Sequence, residues 1–380
     1  MFSELDDFLD SFLDRGTPGY DLAVFHKGEC VYRRFRGYSD YENKIPMNGK
    51  ERYNLYSCSK VMTATAAMML WERGLFRLED KLSDYMPEFS EMKVRDGDGV
   101  RAATRPILIE HLFTMTAGFD YEHDAPELVD FRRETGGVCK TRDFAKYIAR
   151  RPLLFEPGEM WHYSFCHDVL AAFVEVISGE RFGEFVRKNI FLPCGMTDST
   201  FYPAEWDHET VAAQYRFNEN GVRERISKDI IFYNFGSEYE SGGAGCVSSV
   251  DDCMKFIEAL RKGELLKPET LKLMTTDRIE HRRGDNWITD YGYGLGVKCA
   301  RPGKSTGIFG WGGAAGADMT IDAKNGITLY FAQHVLRSPV AAMKTRIIFL
   351  VQKLLGYEPD GVICHVASKR GEENARKFGQ

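Results

Sequence analysis

Ser57 and Lys60, in the stretch Tyr56-Ser-Cys-Ser-Lys60, stand at the head of an apolar run from Val61 to Leu70. On a helix, residues at i and i+3 share a face one turn apart. A serine near the helix N-terminus also has free backbone N–H groups and the positive end of the dipole beside it. That arrangement suits acyl transfer. A serine hydroxyl is a poor nucleophile until a base takes its proton, and a lysine can be that base only where burial or positive neighbours bring its pKa from roughly 10.4 toward neutrality. The bland alternative is a helix cap followed by a solvated first-turn lysine. A second S-x-x-K, Ser90 to Lys93, lies in a polar stretch near Pro87 and lacks the apolar helix.

Two further segments contain residues of chemical interest. Tyr163, within Glu156 to Gly179, sits just before a helical pattern, where a tyrosine is commonly a core residue with a satisfied hydroxyl. Gly312, Gly313 and Gly316, within Phe309 to Asp322, would let a substrate approach the backbone closely or would mark a bulge. His162 and His167 flank Tyr163 without the ligand spacing of H-E-x-x-H, so no metal is expected. Cys58 points away from the Ser57 and Lys60 face and reads as a small buried filler. Tyr291 to Gly296 mimics a dinucleotide loop, but it lacks the G-x-G-x-x-G spacing and a following helix, and a twisted strand is the better reading.

The elements that must position these residues follow from pattern. Phe2 to Leu13 has the spacing of an amphipathic helix. Two strand-like runs meet at Lys27-Gly28 as a hairpin. Short helical pieces fill the middle, with a helix over about 168–178. After Gly242, Ser249 caps a helix with Asp252 three residues on, as in a capping box, and Gly263 closes it. Strand patterns follow around the Asn325-Gly326 turn, and a last helix covers about 338–355 before a charged tail. The economical architecture is α+β: an antiparallel sheet from both chain ends (1–75 and 240–357), terminal helices against it, and an inserted mainly helical region (76–239). The tail is 358–380. A site would sit at the seam.

In order and spacing, a strand hairpin, S-x-x-K on an apolar helix, Tyr-Ser after Pro-Gly-Glu, and a glycine-bearing strand before a hairpin and final helix resemble the serine β-lactamase and penicillin-binding protein superfamily. The likeness runs from about Asp21 to Leu355 and is closest to the branch of class C β-lactamases, D-amino-acid peptidases and related esterases. It implies a β-lactamase/transpeptidase-like fold with Ser57 as nucleophile, and with Lys60 and Tyr163 sharing the acid and base roles. The backbone N–H groups of Ser57 and Ala314 would form the oxyanion hole.

Departures from the pattern narrow the substrate. Trp311-Gly312-Gly313 stands where Lys-Thr-Gly or His-x-Gly is common, removing the cation that would pair with a substrate carboxylate. Phe165 replaces the asparagine of Y-x-N. The resemblance therefore implies a cofactor-free serine hydrolase acting on uncharged or apolar esters or small amides through an acyl-serine intermediate. Trp311, Gly312, Gly313, Phe165 and His167 would line its pocket. A β-lactamase or D,D-peptidase, or a ligand-binding member without turnover, are the alternatives.

Composition excludes other classes. The 380 residues are 43% hydrophobic and 28% charged with a formal net charge of -6, an ordinary globular profile without the basic surface that nucleic acid requires. No segment approaches the roughly 18 to 20 apolar residues of a membrane span, and the acidic N-terminus does not resemble a signal peptide. Nine cysteines without C-x-x-C pairs fit reduced thiols in the cytoplasm. The expected partner is a small ester or amide, with no membrane or nucleic acid, and the oligomeric state is left open.

Overall fold

The computed structural model describes residues 2–202, 205, 210–227, 234–280, 291–299 and 307–359. Its central feature is an eight-stranded antiparallel sheet with spatial order Gly292–Tyr293, Lys298–Cys299, Ile308–Gly312, Asp318–Asp322, Ile327–Ala332, Gly19–His26, Glu29–Asp40 and Ile45–Pro46. The chain ends meet where Gly19–His26 pairs with Ile327–Ala332, from Asp21↔Ala332 to His26↔Ile327. Lys27 and Gly28, at φ 54° and 93°, form the hairpin turn. Positive φ at both central residues matches the right-handed twist of the flanking strands.

Alternation along the strands divides the sheet into two faces. Leu22, Val24, Leu329 and Phe331 pack with Leu5, Leu9 and Phe12 of the helix Ser3–Asp14 and with Ile347 and Val351 of the helix Ile347–Leu354. Trp311, Met319, Ile321 and Tyr330 enter the opposite core, which also contains Val61, Met62 and Leu170. A one-residue slip would exchange these faces, so burial on both sides fixes the register that sets Trp311 toward the helical region.

The helix Ser59–Glu72 is buried along its entire run from Ser59 to Leu70. Such a helix, apolar all round, belongs inside a core, and it packs against the helix Cys166–Ser178. Its N-terminal end is tied down by a small sheet, Arg52–Asn54 against Val247–Ser249, with Arg52↔Ser249, Tyr53↔Ser248 and Asn54↔Val247. Leu55 N–H to Cys246 O at 2.9 Å continues that ladder. The Cys246 N–H then donates to Ser59 Oγ at 3.0 Å.

Several expected elements differ in form. Residues 291–299 are two two-residue strands rather than one twisted strand, because Gly294 N–H to Val297 O and Gly296 at φ 85° make a turn between them. The last helix begins at Ile347, not near 338: Ser338 to Met343 forms tight turns, with Ala341 N–H to Ser338 O and Met343 N–H to Val340 O, and the 3-10 turn Lys344–Arg346 follows before the helix starts. Ser249 does cap its helix, accepting from Asp252 N–H. The Asp252 carboxylate turns instead to Asp198 N–H, Ser199 Oγ and Lys255 Nζ, so the reciprocal half of the capping box is missing. Two hairpins, Lys93–Asp96 with Gly99–Ala102 and Gln214–Phe217 with Arg223–Ile226, interrupt the mainly helical stretch. Lys93 is therefore an exposed strand residue, not one turn of helix from Ser90. The tail from 360 onward lies outside the described residues.

His334 braces the strand leading to Ser57. Its Nδ1 faces Ala212 O at 2.9 Å and Asn54 N–H approaches Nε2 at 3.4 Å, an arrangement served by one neutral tautomer. Burial lowers its pKa from 6.5 to about 4. The unfolded chain then binds more protons between those values, so the His334 contribution is complete above pH 6.5 and declines as pH falls toward 4. At pH 5 the loss is on the order of 2 kcal/mol. Thermal denaturation at pH 7 and pH 5 should show a smaller acid-induced fall in Tm for His334→Gln than for the wild type; equal falls would contradict this assignment.

Candidate active site

The strand Arg52–Asn54 turns abruptly into a 3-10 turn, Tyr56–Cys58, before the helix Ser59–Glu72. Tyr56 takes φ 48°, in the left-handed region, a strained conformation for a residue with a Cβ. Its ring is buried and its hydroxyl accepts from the Gln214 amide. Ser57 follows as a half-buried residue at the tip of the bend. Cys58 N–H to Leu55 O is the first bond of the turn, so the Ser57 N–H precedes the helical ladder and is one of its unclaimed donors.

Three side chains converge at the tip. The Tyr163 hydroxyl donates to Ser57 Oγ at 2.5 Å, while Lys60 Nζ is 3.4 Å from that oxygen. The strongest contact of Lys60 is elsewhere: its Nζ donates to Gly243 O at 2.7 Å, with Tyr121 OH at 3.4 Å. Lys60 is wholly buried. Its Nζ also lies 4.6 Å from the Tyr163 ring centroid and 5.4 Å from that of Tyr121. At such range the ring faces attract an ammonium.

The opposite wall is the end of the strand Ile308–Gly312. The Trp311 ring stacks on Tyr163 at 5.9 Å and 18°, and meets Tyr293 edge-on at 5.2 Å. A Cβ on Gly313 would lie 2.4 Å from Leu55 O, so only glycine lets this strand end approach the Ser57 turn so closely. Exposed Ala314 lies in the turn closed by Gly313 N–H to Ala317 O at 2.9 Å. Lys344 Nζ donates to the same Ala317 carbonyl at 2.7 Å and steadies the turn.

Phe165 and His167 are 2% and 0% exposed and present no accessible pocket surface. Phe165 packs in an aromatic cluster with Tyr121 and His123. Neither ring nitrogen of His167 has a hydrogen-bond partner among the described residues. Burial, then the Lys60 charge, hold its pKa well below 6.5, so it stays neutral. Cys58 is buried with Sγ 3.5 Å from Trp311 O, and burial pushes its thiol up to about 12. The sequence reasoning missed Tyr121 and Gly243. Tyr121 lies in no recognisable pattern, and Gly243 acts through a backbone carbonyl that no residue type advertises. No cluster of His, Cys, Asp or Glu suited to a metal occurs among the described residues.

Known proteins share this arrangement of elements. The Beta-lactamase family model matches residues 5–353. Esterase EstB of Burkholderia gladioli is 30% identical over 361 residues, covering 87% of this chain and 89% of its own. The structure described as EstCE1, a hydrolase with promiscuous acyltransferase activity, superposes with TM-score 0.76 at 26% identity, over 92% of this chain and 97% of that one. Simvastatin synthase LovD of Aspergillus terreus, in its LovD6 mutant form, gives TM-score 0.75 at 25% identity, over 93% and 97%. With the fold matched nearly end to end, the chain belongs to the Beta-lactamase family and is one of its serine hydrolases.

Proposed function

We propose that this protein hydrolyses or transfers uncharged, apolar acyl groups from small esters, with Ser57 as the nucleophile and Tyr163 as the proton carrier. The observation carrying this reading is the 2.5 Å contact between Tyr163 OH and Ser57 Oγ, shorter than the 3.4 Å from Lys60 Nζ. Tyr163 as phenolate takes the Ser57 proton while Oγ attacks the acyl carbonyl. Lys60 as ammonium offsets the negative charge on the ring oxygen. The oxyanion is received by the N–H groups of Ser57 and Ala314. Tyr163 then returns its proton to the leaving alcohol, and an acyl-Ser57 ester remains. Water, or a second alcohol, repeats the sequence in reverse and releases the acid or the new ester.

Trp311, 5% exposed behind the half-buried Tyr163 ring on which it stacks, supports an uncharged acyl group, since an indole brings one N–H donor but no cation to this wall. Similarity to an esterase and to a hydrolase with promiscuous acyltransferase activity supports both fates of the acyl-enzyme. The eight described cysteines, all unpaired, fit a reducing compartment such as the cytoplasm. No helix among the described residues is long and apolar enough to cross a membrane.

A panel of p-nitrophenyl acetate, butyrate and octanoate beside nitrocefin tests this reading. Butyrate turnover should exceed nitrocefin turnover by at least roughly 100-fold, about 2.7 kcal/mol of discrimination; preference for nitrocefin would reverse the assignment. Trp311→Ala should raise KM for the butyrate ester roughly tenfold, the worth of a lost aromatic contact, and affect the acetate less. Equal effects on acetate and butyrate would remove Trp311 from the acyl pocket.

A further inference from the structure

Lys60 is the only charged residue of the buried run from Ser59 to Leu70, and its shortest bond, 2.7 Å, goes to the carbonyl of Gly243. A backbone carbonyl can aim an ammonium only if the loop bearing it is itself held. The turn Ser241–Gly245 is held from several sides. Gly245 N–H donates to Ser241 O at 2.8 Å and Ala244 N–H to Ser241 Oγ at 3.0 Å. Thr63 Oγ1, one turn along the helix from Lys60, donates to Gly242 O at 2.7 Å.

The remaining anchor is a single carboxylate. Asp168, 2% exposed near the start of the helix Cys166–Ser178, accepts through Oδ1 from Tyr239 OH at 2.6 Å, Ser241 Oγ at 2.5 Å and Gly243 N–H at 3.2 Å. Its Oδ2 lies 2.4 Å from where a Cβ on Gly243 would be, so a side chain there would displace the carboxylate. A Cβ on Gly242 would lie 2.3 Å from His167 O. The two glycines therefore let the turn lie flat against the first turn of that helix. Three donors from one turn and its flank thus converge on a single carboxylate oxygen.

We propose that Asp168 is a positioning residue for the acyl-transfer site: by gripping both Ser241 and Gly243 it fixes the carbonyl that aims Lys60 at Ser57 and Tyr163. It touches neither substrate nor nucleophile. Phe165 cannot hydrogen-bond Lys60, and the Gly243 carbonyl supplies that polar contact from across the fold, 183 residues along the chain from the lysine. The inference rests on the proposed roles of Ser57, Lys60 and Tyr163.

The test is Asp168→Ala, assayed with p-nitrophenyl butyrate and normalised to the sites that react with a fluorophosphonate. The kcat per reactive site should fall roughly 10- to 100-fold, the rate equivalent of a lost charge-assisted hydrogen bond, with KM within about twofold of wild type. Asp168→Asn, which keeps an acceptor oxygen, should recover at least about a third of wild-type kcat. A folded Asp168→Ala protein with kcat within about twofold of wild type would overturn the proposal. Should that variant fail to fold, Tyr239→Phe combined with Ser241→Ala releases two of the three donors and is subject to the same expectation and the same overturning result. Crystal structures of the variants separate this inference from the catalytic reading. If wild type fails to react with fluorophosphonate, the catalytic reading falls. The position of Lys60 still decides the inference: loss of the Gly243 contact supports it, and an unchanged contact refutes it.

Discussion

Ser57→Ala should lower kcat/KM for p-nitrophenyl butyrate by on the order of 10⁶-fold, the scale seen when a serine nucleophile is removed. No neighbour is equipped to replace it. Ser59 is fully buried, and its Oγ accepts the Cys246 N–H. Cys58 is buried with its thiol pushed up to about 12, so at neutral pH it is neither accessible nor a thiolate. Ser57 itself is only half-buried at the tip of its turn, and deleting its hydroxyl leaves the backbone of the bend in place. Stability should therefore change by less than about 1 kcal/mol. The residual rate would come from binding and the oxyanion donors alone.

Tyr163→Phe should cost on the order of 10³-fold in kcat, within the range assigned to general acid and base catalysis. Phenylalanine preserves the ring that stacks on Trp311 at 5.9 Å and meets Tyr121 edge-on at 5.0 Å, so the pocket wall and KM should change little. The size of the loss discriminates between bases. If Lys60 takes the Ser57 proton directly, deleting the phenol removes one hydrogen bond from the nucleophile and costs only roughly tenfold. If Tyr163 carries the proton both ways, both acylation and deacylation slow. A presteady-state burst would separate those steps, and a loss near tenfold would transfer the base role to Lys60.

Much of the scaffold was legible in the sequence because burial on one face leaves a period. The hairpin at Lys27-Gly28, the cap at Ser249 and the left-handed Gly263 at φ 76° have local causes that neighbouring residues carry. The final helix is shorter than its pattern because apolar residues continue upstream of Ile347, where the chain closes successive tight turns that bury Val340 without a regular helix. Aromatic residues alternating with glycine over Tyr291 to Gly296 give a strand-like pattern there, but Gly296 at φ 85° makes a turn after the short strand Gly292–Tyr293. The sheet of Arg52–Asn54 with Val247–Ser249 has three residues on each strand, too few for a period to register.

At the candidate site, side chains with a chemical signature were easier to name than their supports. Ser57, Lys60 and Tyr163 are named by type and order, and their polar atoms lie within hydrogen-bonding distance of Ser57 Oγ. Phe165 and His167 follow Tyr163 closely in the chain and were expected in the pocket. Their helix instead turns both into the core, at 2% and 0% exposure. Gly243 was out of reach for a different reason. Its contribution is a carbonyl, which every residue possesses, and only the packing of a distant turn on the Lys60 helix makes it specific.

Intact mass measured before and after incubation with a fluorophosphonate is the most direct measurement of whether Ser57 is an activated nucleophile. Wild type should gain the mass of one phosphonyl adduct, mapped by peptide fragmentation to Ser57, and Ser57→Ala should gain none. An unlabelled wild-type protein, or an adduct that persists in Ser57→Ala, would contradict the assignment of Ser57 as the acyl-accepting residue.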